Sequence, residues 1–229
     1  MSSPQSIQKK VIKGGFIVLV LAFLGSIFAY FVRILLSRTL SVENYGLFYA
    51  VFGLFSIATT YVDLGFGYSV VYFFPKYIKL HNYSKAWNIF ILGQTISISV
   101  SIILSIILII IAPFLAKNYF KVAGSEILIY IFCVFLIVFV IINGLLQVYS
   151  GLQKEKYYSS ITVLRWFLTL AFLVLFFVLG LTNIVFYAIA WVLGHILTSV
   201  FFLLLLFYKH SFLIQNKIKF ESVTLKQMF

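Results

Sequence analysis

An all-α bundle of six transmembrane helices is the fold class this sequence predicts, and three observations predict it. The first is composition: 63% of the 229 residues are hydrophobic, only 10% are charged and the mean hydropathy is +1.13. Soluble domains hold about 45–50% apolar and ~25% charged residues. The second is a series of apolar stretches, each as long as the roughly 20 residues a bilayer core demands. The third is that only short polar joints separate these stretches, leaving no linker long enough to divide soluble domains.

Lys9, Lys10 and Lys13 precede the first stretch, 14–40. Basic residues ahead of an apolar run resemble a signal peptide. This run is too long for one and no small-residue cleavage site closes it, so it reads as a retained first span behind a basic N-terminus, 1–13. The joint "SVEN", 41–44, leads to a second span, 45–74, and "PKYIKLHNYSK", 75–85, to a third, 86–115. "KNYFKVAGS", 117–125, "QKEK", 153–156, and "LTN", 181–183, set off spans at 126–150, 157–180 and 183–208. A polar, basic tail, 209–229, follows.

Lysines in alternate joints give an orientation, because cytoplasmic loops of membrane proteins carry the basic excess. One side collects twelve: Lys9, Lys10, Lys13, Lys76, Lys79, Lys85, Lys154, Lys156, Lys209, Lys217, Lys219 and Lys226. The other holds Lys117 and Lys121, with Arg38 nearby. Both termini are therefore expected in the cytoplasm of a multi-pass protein of the cell membrane. The charge of +12 could suggest nucleic acid, but the basic residues form no stripe and sit between apolar runs, so no nucleic-acid partner is expected.

Within the spans, polar residues are costly and point to function. An arginine at a helix centre costs about 2.5–3.5 kcal/mol on insertion scales. Arg38 is near the outer end of its span, where it can snorkel to water or pair with Glu43. Arg33 lies deeper, on the order of 10 Å inside, and is the better candidate for a cavity. Asp63 and Arg165 fall at similar depths from the cytoplasmic side and could form an ion pair. Gln94, Asn143 and Gln147 belong to the cytoplasmic half, and His195 to the middle of the sixth span. Together these residues predict a polar, net positive interior. Arginine's planar fork suits phosphate oxygens in two-point contacts, and a polyprenyl diphosphate offers such oxygens on a lipid-soluble tail.

"TTYVDLGFGYSV" sets Asp63, Gly65 and Gly67 inside the second span. Each glycine weakens a helix by about 1 kcal/mol relative to alanine, and Asp is a good cap for a helix that restarts. A broken helix lining a cavity and a close approach by a neighbouring helix are both open readings.

Enzyme chemistry finds little support. Glu43, Asp63, Glu126, Glu155 and Glu221 are scattered, without the paired acids that hold a catalytic metal. His81, His195 and His210 show no metal-ligand spacing, Cys133 is alone, and no P-loop or selectivity-filter sequence occurs. No metal and no bound cofactor are expected.

The stretch "LSRTLSVENYGLFYAVFGLFSIATTYVDLGFGYSVVYFFPKY", 36–77, resembles the first hairpin of polysaccharide and oligosaccharide flippases of the multidrug/oligosaccharidyl-lipid/polysaccharide exporter superfamily. The matching elements are the turn with Glu43, Tyr45 and Gly46, then Asp63-Leu64-Gly65, then the basic exit at Lys76. "GLQKEKYYSSITVLRW", 151–166, is similar to the family's joint between spans four and five. The resemblance implies a V-shaped transporter of two six-helix lobes that moves a lipid-linked oligosaccharide by alternating access, usually driven by Na+ or H+. It makes Arg33 the cavity arginine, Asp63 the acid of the second span and Arg165 a basic residue of the fifth. Members of the family are about twice this length, so the chain is expected to be one lobe, joined to a second lobe or to another copy. The tail "FESVTLKQMF" resembles the approach to a seventh span. A drug or cation antiporter of the same superfamily, and a membrane assembly subunit without transport, are the alternatives.

Overall fold

The computed structural model describes residues 4–209 apart from Ala123, with backbone alone for 4–13 and Phe66. The tail beyond Lys209, expected as the approach to a seventh span, lies outside the described residues.

Among the described residues seven α-helices follow one another: α1 (Pro4–Thr39), α2 (Val42–Val62), α3 (Phe66–Lys79), α4 (Tyr83–Phe114), α5 (Glu126–Gly151), α6 (Glu155–Val178) and α7 (Ile184–Lys209). All but α3 are long and apolar enough to cross a membrane. Ser41 caps α2 by accepting the Asn44 N–H at 3.2 Å, and Asn82 caps α4 by accepting the Lys85 N–H at 3.1 Å. At its other end α6 closes in a Schellman turn, Leu181 N–H to the Phe176 carbonyl at 2.9 Å and Gly180 N–H to that of Phe177 at 3.0 Å.

Three boundaries differ from the sequence reading. The second span is two helices, because the chain reverses curvature at Leu64 (φ 45°) and Gly65 (φ 82°). The joint expected from Pro75 is helical as far as Lys79, since Pro75 sits on the third turn of α3, the short helix that restarts at Phe66. After Pro113 helix α4 loosens into a π-helical turn, Leu115–Phe120, where a loop was expected from Lys117.

Helices α5 and α7 are the most buried and form the middle of the bundle. Around them α1 packs on α6, α6 on α7, α7 on α5, α5 on α2 and α4, and α3 on α4 and α5, while α1 and α2 touch only sparsely. Close approaches depend on small residues, as expected where lipid supplies no hydrophobic drive between helices. A Cβ on Gly194 would overlap the backbone of Thr169, so α6 and α7 meet there without a side chain between them. Between α4 and α5, Ser105 Oγ donates to the Cys133 carbonyl at 3.3 Å and the Cys133 thiol to that of Ser105 at 3.6 Å.

The core divides into two apolar clusters. One holds Phe48, Phe55, Phe132, Leu136, Tyr187 and Trp191 with the ends of α1, α4 and α6 beside them. The other holds Val70, Phe74, Trp87, Ile142, Tyr149 and Phe202. On α4, α6 and α7 the intramembrane polar groups fall between these clusters.

Candidate functional site

On α6 and α7 this seam contains Arg165, Thr169, His195, Thr198 and Ser199. His195 is 2% exposed, and its Nδ1 donates to the Trp191 carbonyl at 2.7 Å. The imidazole is walled by Phe135 (ring centroids 5.0 Å apart), Trp166 (6.5 Å) and Trp191, on which it stacks at 13° between planes. The Arg165 guanidinium lies 5.4 Å from the centroid of the Trp166 ring and acts electrostatically on His195. Such a cation–π contact is worth roughly 0.5–2 kcal/mol depending on desolvation. No carboxylate pairs with Arg165 among the described residues, and its Nε is buried without a hydrogen-bond partner.

Further buried polar atoms without partners collect on the same side: Trp191 Nε1, Tyr187 OH and Tyr49 OH. Each such group costs about 1–3 kcal/mol if nothing answers it, and clustering of this kind asks for a physical reason. Tyr49 stands on α2 against Tyr45 (rings 4.8 Å apart), and Arg33 of α1, expected to face a cavity, is exposed and acts on Tyr49 electrostatically. Helices α1, α6, α7, α5 and α2 thus surround an aromatic interior bearing Arg165 near its middle and Arg33 at the thinly closed α1–α2 edge.

The second polar site is the α2–α3 break. Both Asp63 carboxylate oxygens accept the Gly67 N–H, at 3.0 and 3.1 Å, so the acid closes the start of α3. Gly67 is buried, and a Cβ there would overlap the Gln147 amide and the Asp63 carboxylate. Both sequence readings of this stretch therefore apply: the chain breaks at Gly65, and Gly67 admits a neighbour. Across from the break, Gln94 Nε2 donates to the Val140 carbonyl at 3.2 Å, filling the space beside Gly144. An open groove of about 490 Å³ runs over Thr59, Thr60, Asp63, Gly67, Tyr68, Asn143 and Gln147.

Of the residues singled out in the sequence, Asp63, Gln94, Asn143 and Gln147 come together around one small cavity, and Arg165 meets His195. The suggested Asp63–Arg165 ion pair does not form. Equal depth fixes position along the bundle axis but not the direction a residue faces: α2 packs on α5, whereas α6 packs on α1 and α7. Arg38 and Glu43 are both exposed, and they form no ion pair with each other. The aromatic walls Trp166, Trp191, Tyr49 and Tyr187 were not anticipated. Their signal was the four-residue spacing of Tyr187, Trp191 and His195, which puts a polar-tipped stripe on one face of α7.

Comparison with known proteins gives this geometry a context. A family model described as polysaccharide biosynthesis protein matches residues 11–229. An uncharacterized membrane protein of Methanocaldococcus jannaschii is 24% identical over 169 residues, covering 70% of this chain and 33% of its own length. The fold is shared with the outward-facing form of a multidrug resistance MATE family transporter of the MOP superfamily, at 20% identity and a TM-score of 0.67. It is shared equally with a MOP superfamily transporter from Pyrococcus furiosus described as having a binding pocket of reverse polarity, at 18% identity and 0.68. Each alignment covers 94% of this chain and 50% of the solved one, so the chain spans about half the length of these transporters.

Proposed function

The chain belongs to the polysaccharide biosynthesis protein family of the exporter superfamily, and from that premise we propose that it is a lobe of a flippase that carries a lipid-linked oligosaccharide across the cell membrane. The observation that carries this reading is the Arg165 guanidinium, held in an aromatic interior with its buried Nε unpaired and no acid beside it among the described residues. A fixed cation of that kind suits an anionic headgroup, and a guanidinium matches diphosphate oxygens in two-point geometry. Arg33, at the edge between α1 and α2, would meet the same headgroup on entry.

The cation-antiporter reading would need an available carboxylate facing the interior. Asp63 instead caps Gly67 at the α2–α3 break and opens on the groove there, away from the Arg165 interior, which favours the anionic cargo.

Export in cells that depend on this protein for surface glycan tests the proposal. Arg165→Ala and Arg33→Ala should each abolish surface glycan at unchanged protein level in the membrane, and Arg165→Lys should keep part of it by retaining charge without the fork. Full export by both alanine variants would remove the arginine site.

A further inference from the structure

The α2–α3 groove is chemically unlike the arginine interior. Its polar groups are the hydroxyls of Thr59 and Thr60, the Asp63 carboxylate and the amides of Asn143 and Gln147, with the Tyr68 ring along one side. Tyr68 is 84% exposed, so its aromatic face is open. Among the described residues the Asn143 and Gln147 amides make no hydrogen bond to the protein, although both lie in the membrane-spanning part of α5. No basic side chain lines the groove among the described residues.

We infer that this groove is a saccharide subsite, which takes an uncharged sugar of the lipid-linked cargo; the inference rests on the flippase reading above. Amides donate and accept at once, which is what a sugar hydroxyl also does. Asp63 offers an additional acceptor and repels phosphate. An exposed tyrosine face fits the apolar C–H face of a pyranose ring. A volume of about 490 Å³ lies within the ~300–1,000 Å³ typical of small-molecule sites.

From His195 beside Arg165 the path runs through Phe135 (5.0 Å between rings) to Phe139 (5.6 Å), and Phe139 lines the groove. These packed rings stand between Arg165 and the groove, so the saccharide is held apart from the arginine that takes the diphosphate.

The test measures binding to the full-length protein in lipid nanodiscs with two probes: undecaprenyl diphosphate, and the same lipid bearing one N-acetylglucosamine. Wild type should bind the sugar-bearing lipid about tenfold more tightly, the worth of one or two hydrogen bonds. Asn143→Ala/Gln147→Ala should bind both lipids alike, at the wild-type affinity for the bare one. Tyr68→Ala, at an exposed position, should reduce the preference without disturbing the fold. Absence of a sugar preference in wild type, or its survival in the double variant and in Tyr68→Ala, overturns the subsite while leaving the flippase reading intact. Failure of wild type to bind bare undecaprenyl diphosphate removes that reading, and the subsite with it.

Discussion

Replacing Gly194 by alanine should loosen the joint that holds the arginine interior together. The α7 backbone comes so close to α6 at this point that a Cβ on residue 194 would stand 2.7 Å from Thr169 N and 2.8 Å from its Cα. Backbone cannot rotate aside as a side-chain tip can, so α6 must back away from α7, taking Arg165, one turn before Thr169, with it. Overpacking of this kind costs about 1–3 kcal/mol. Alanine returns at most about 1 kcal/mol through helix propensity, so with the full return the net loss is up to about 2 kcal/mol. In a chain of this size that is a fall in Tm of up to about 8 °C, and the clash alone separates the variant by about 2–12 °C from one that gains propensity without it. Gly53→Ala is the matched control: nothing lies within 4 Å of its added methyl, so propensity acts alone and Tm should hold or rise. Thr169→Ala in the Gly194→Ala background should recover only a fraction, because the backbone atoms of Thr169 remain. Thermal unfolding of the purified variants in one detergent measures all three. A Gly194→Ala protein that melts like Gly53→Ala would refute the claim that direct backbone contact sets the α6–α7 distance.

Asp63→Ala should cost about 1 kcal/mol through the lost cap on the Gly67 N–H, whereas Asp63→Asn, still an acceptor, should cost a few tenths in the same melting assay. Ser105→Ala deletes one interhelical hydrogen bond and should cost about 0.6 kcal/mol, the average for such bonds in a membrane. Ser105→Val adds bulk between α4 and α5 and should cost about 1–3 kcal/mol; equal melting of the two would mean that volume is not limiting there.

Hydropathy alone located the six spans, because span length and apolar content are imposed by the bilayer rather than by neighbours. The break in the second span was legible as well: Gly65 and Gly67 weaken the helix there, and Asp63 beside them supplies the cap for its restart. Depth along a helix could be counted at about 1.5 Å per residue, which placed Gln94, Asn143 and Gln147 in one half of the bundle, and the structure brings them to Asp63. Direction could not. Whether Arg165 faces Asp63 or His195 depends on which helices pack together, and that depends on contacts such as Gly194 against Thr169 that no single helix encodes. The same limit hid Trp166 and Tyr49, which looked like two more aromatics in an aromatic-rich chain.

Direction does leave a trace in surface chemistry, and that trace is testable. Every exposed position of α4 between 102 and 111 is isoleucine, the composition of a face meeting acyl chains. The exposed surface of α2 and α3 mixes Ile57 and Val71 with hydroxyls at Ser56, Thr60, Tyr61, Tyr68 and Tyr72, which suits a wetter contact than the isoleucine face of α4. Cysteine reacts as the thiolate, and a thiol in hydrocarbon stays protonated. Cys133 is buried at 3% exposure, so the native chain supplies a quiet background for introduced cysteines. Thr60→Cys in intact membranes should therefore be modified by a charged methanethiosulfonate reagent, and Ile107→Cys should not. Covering of Thr60→Cys by undecaprenyl diphosphate-N-acetylglucosamine, but not by the bare diphosphate, would tie that wet face to the sugar. Failure of Thr60→Cys to react would mean that the hydroxyl-bearing face of α2–α3 lies against lipid, and a saccharide could not then approach Asn143 from that side.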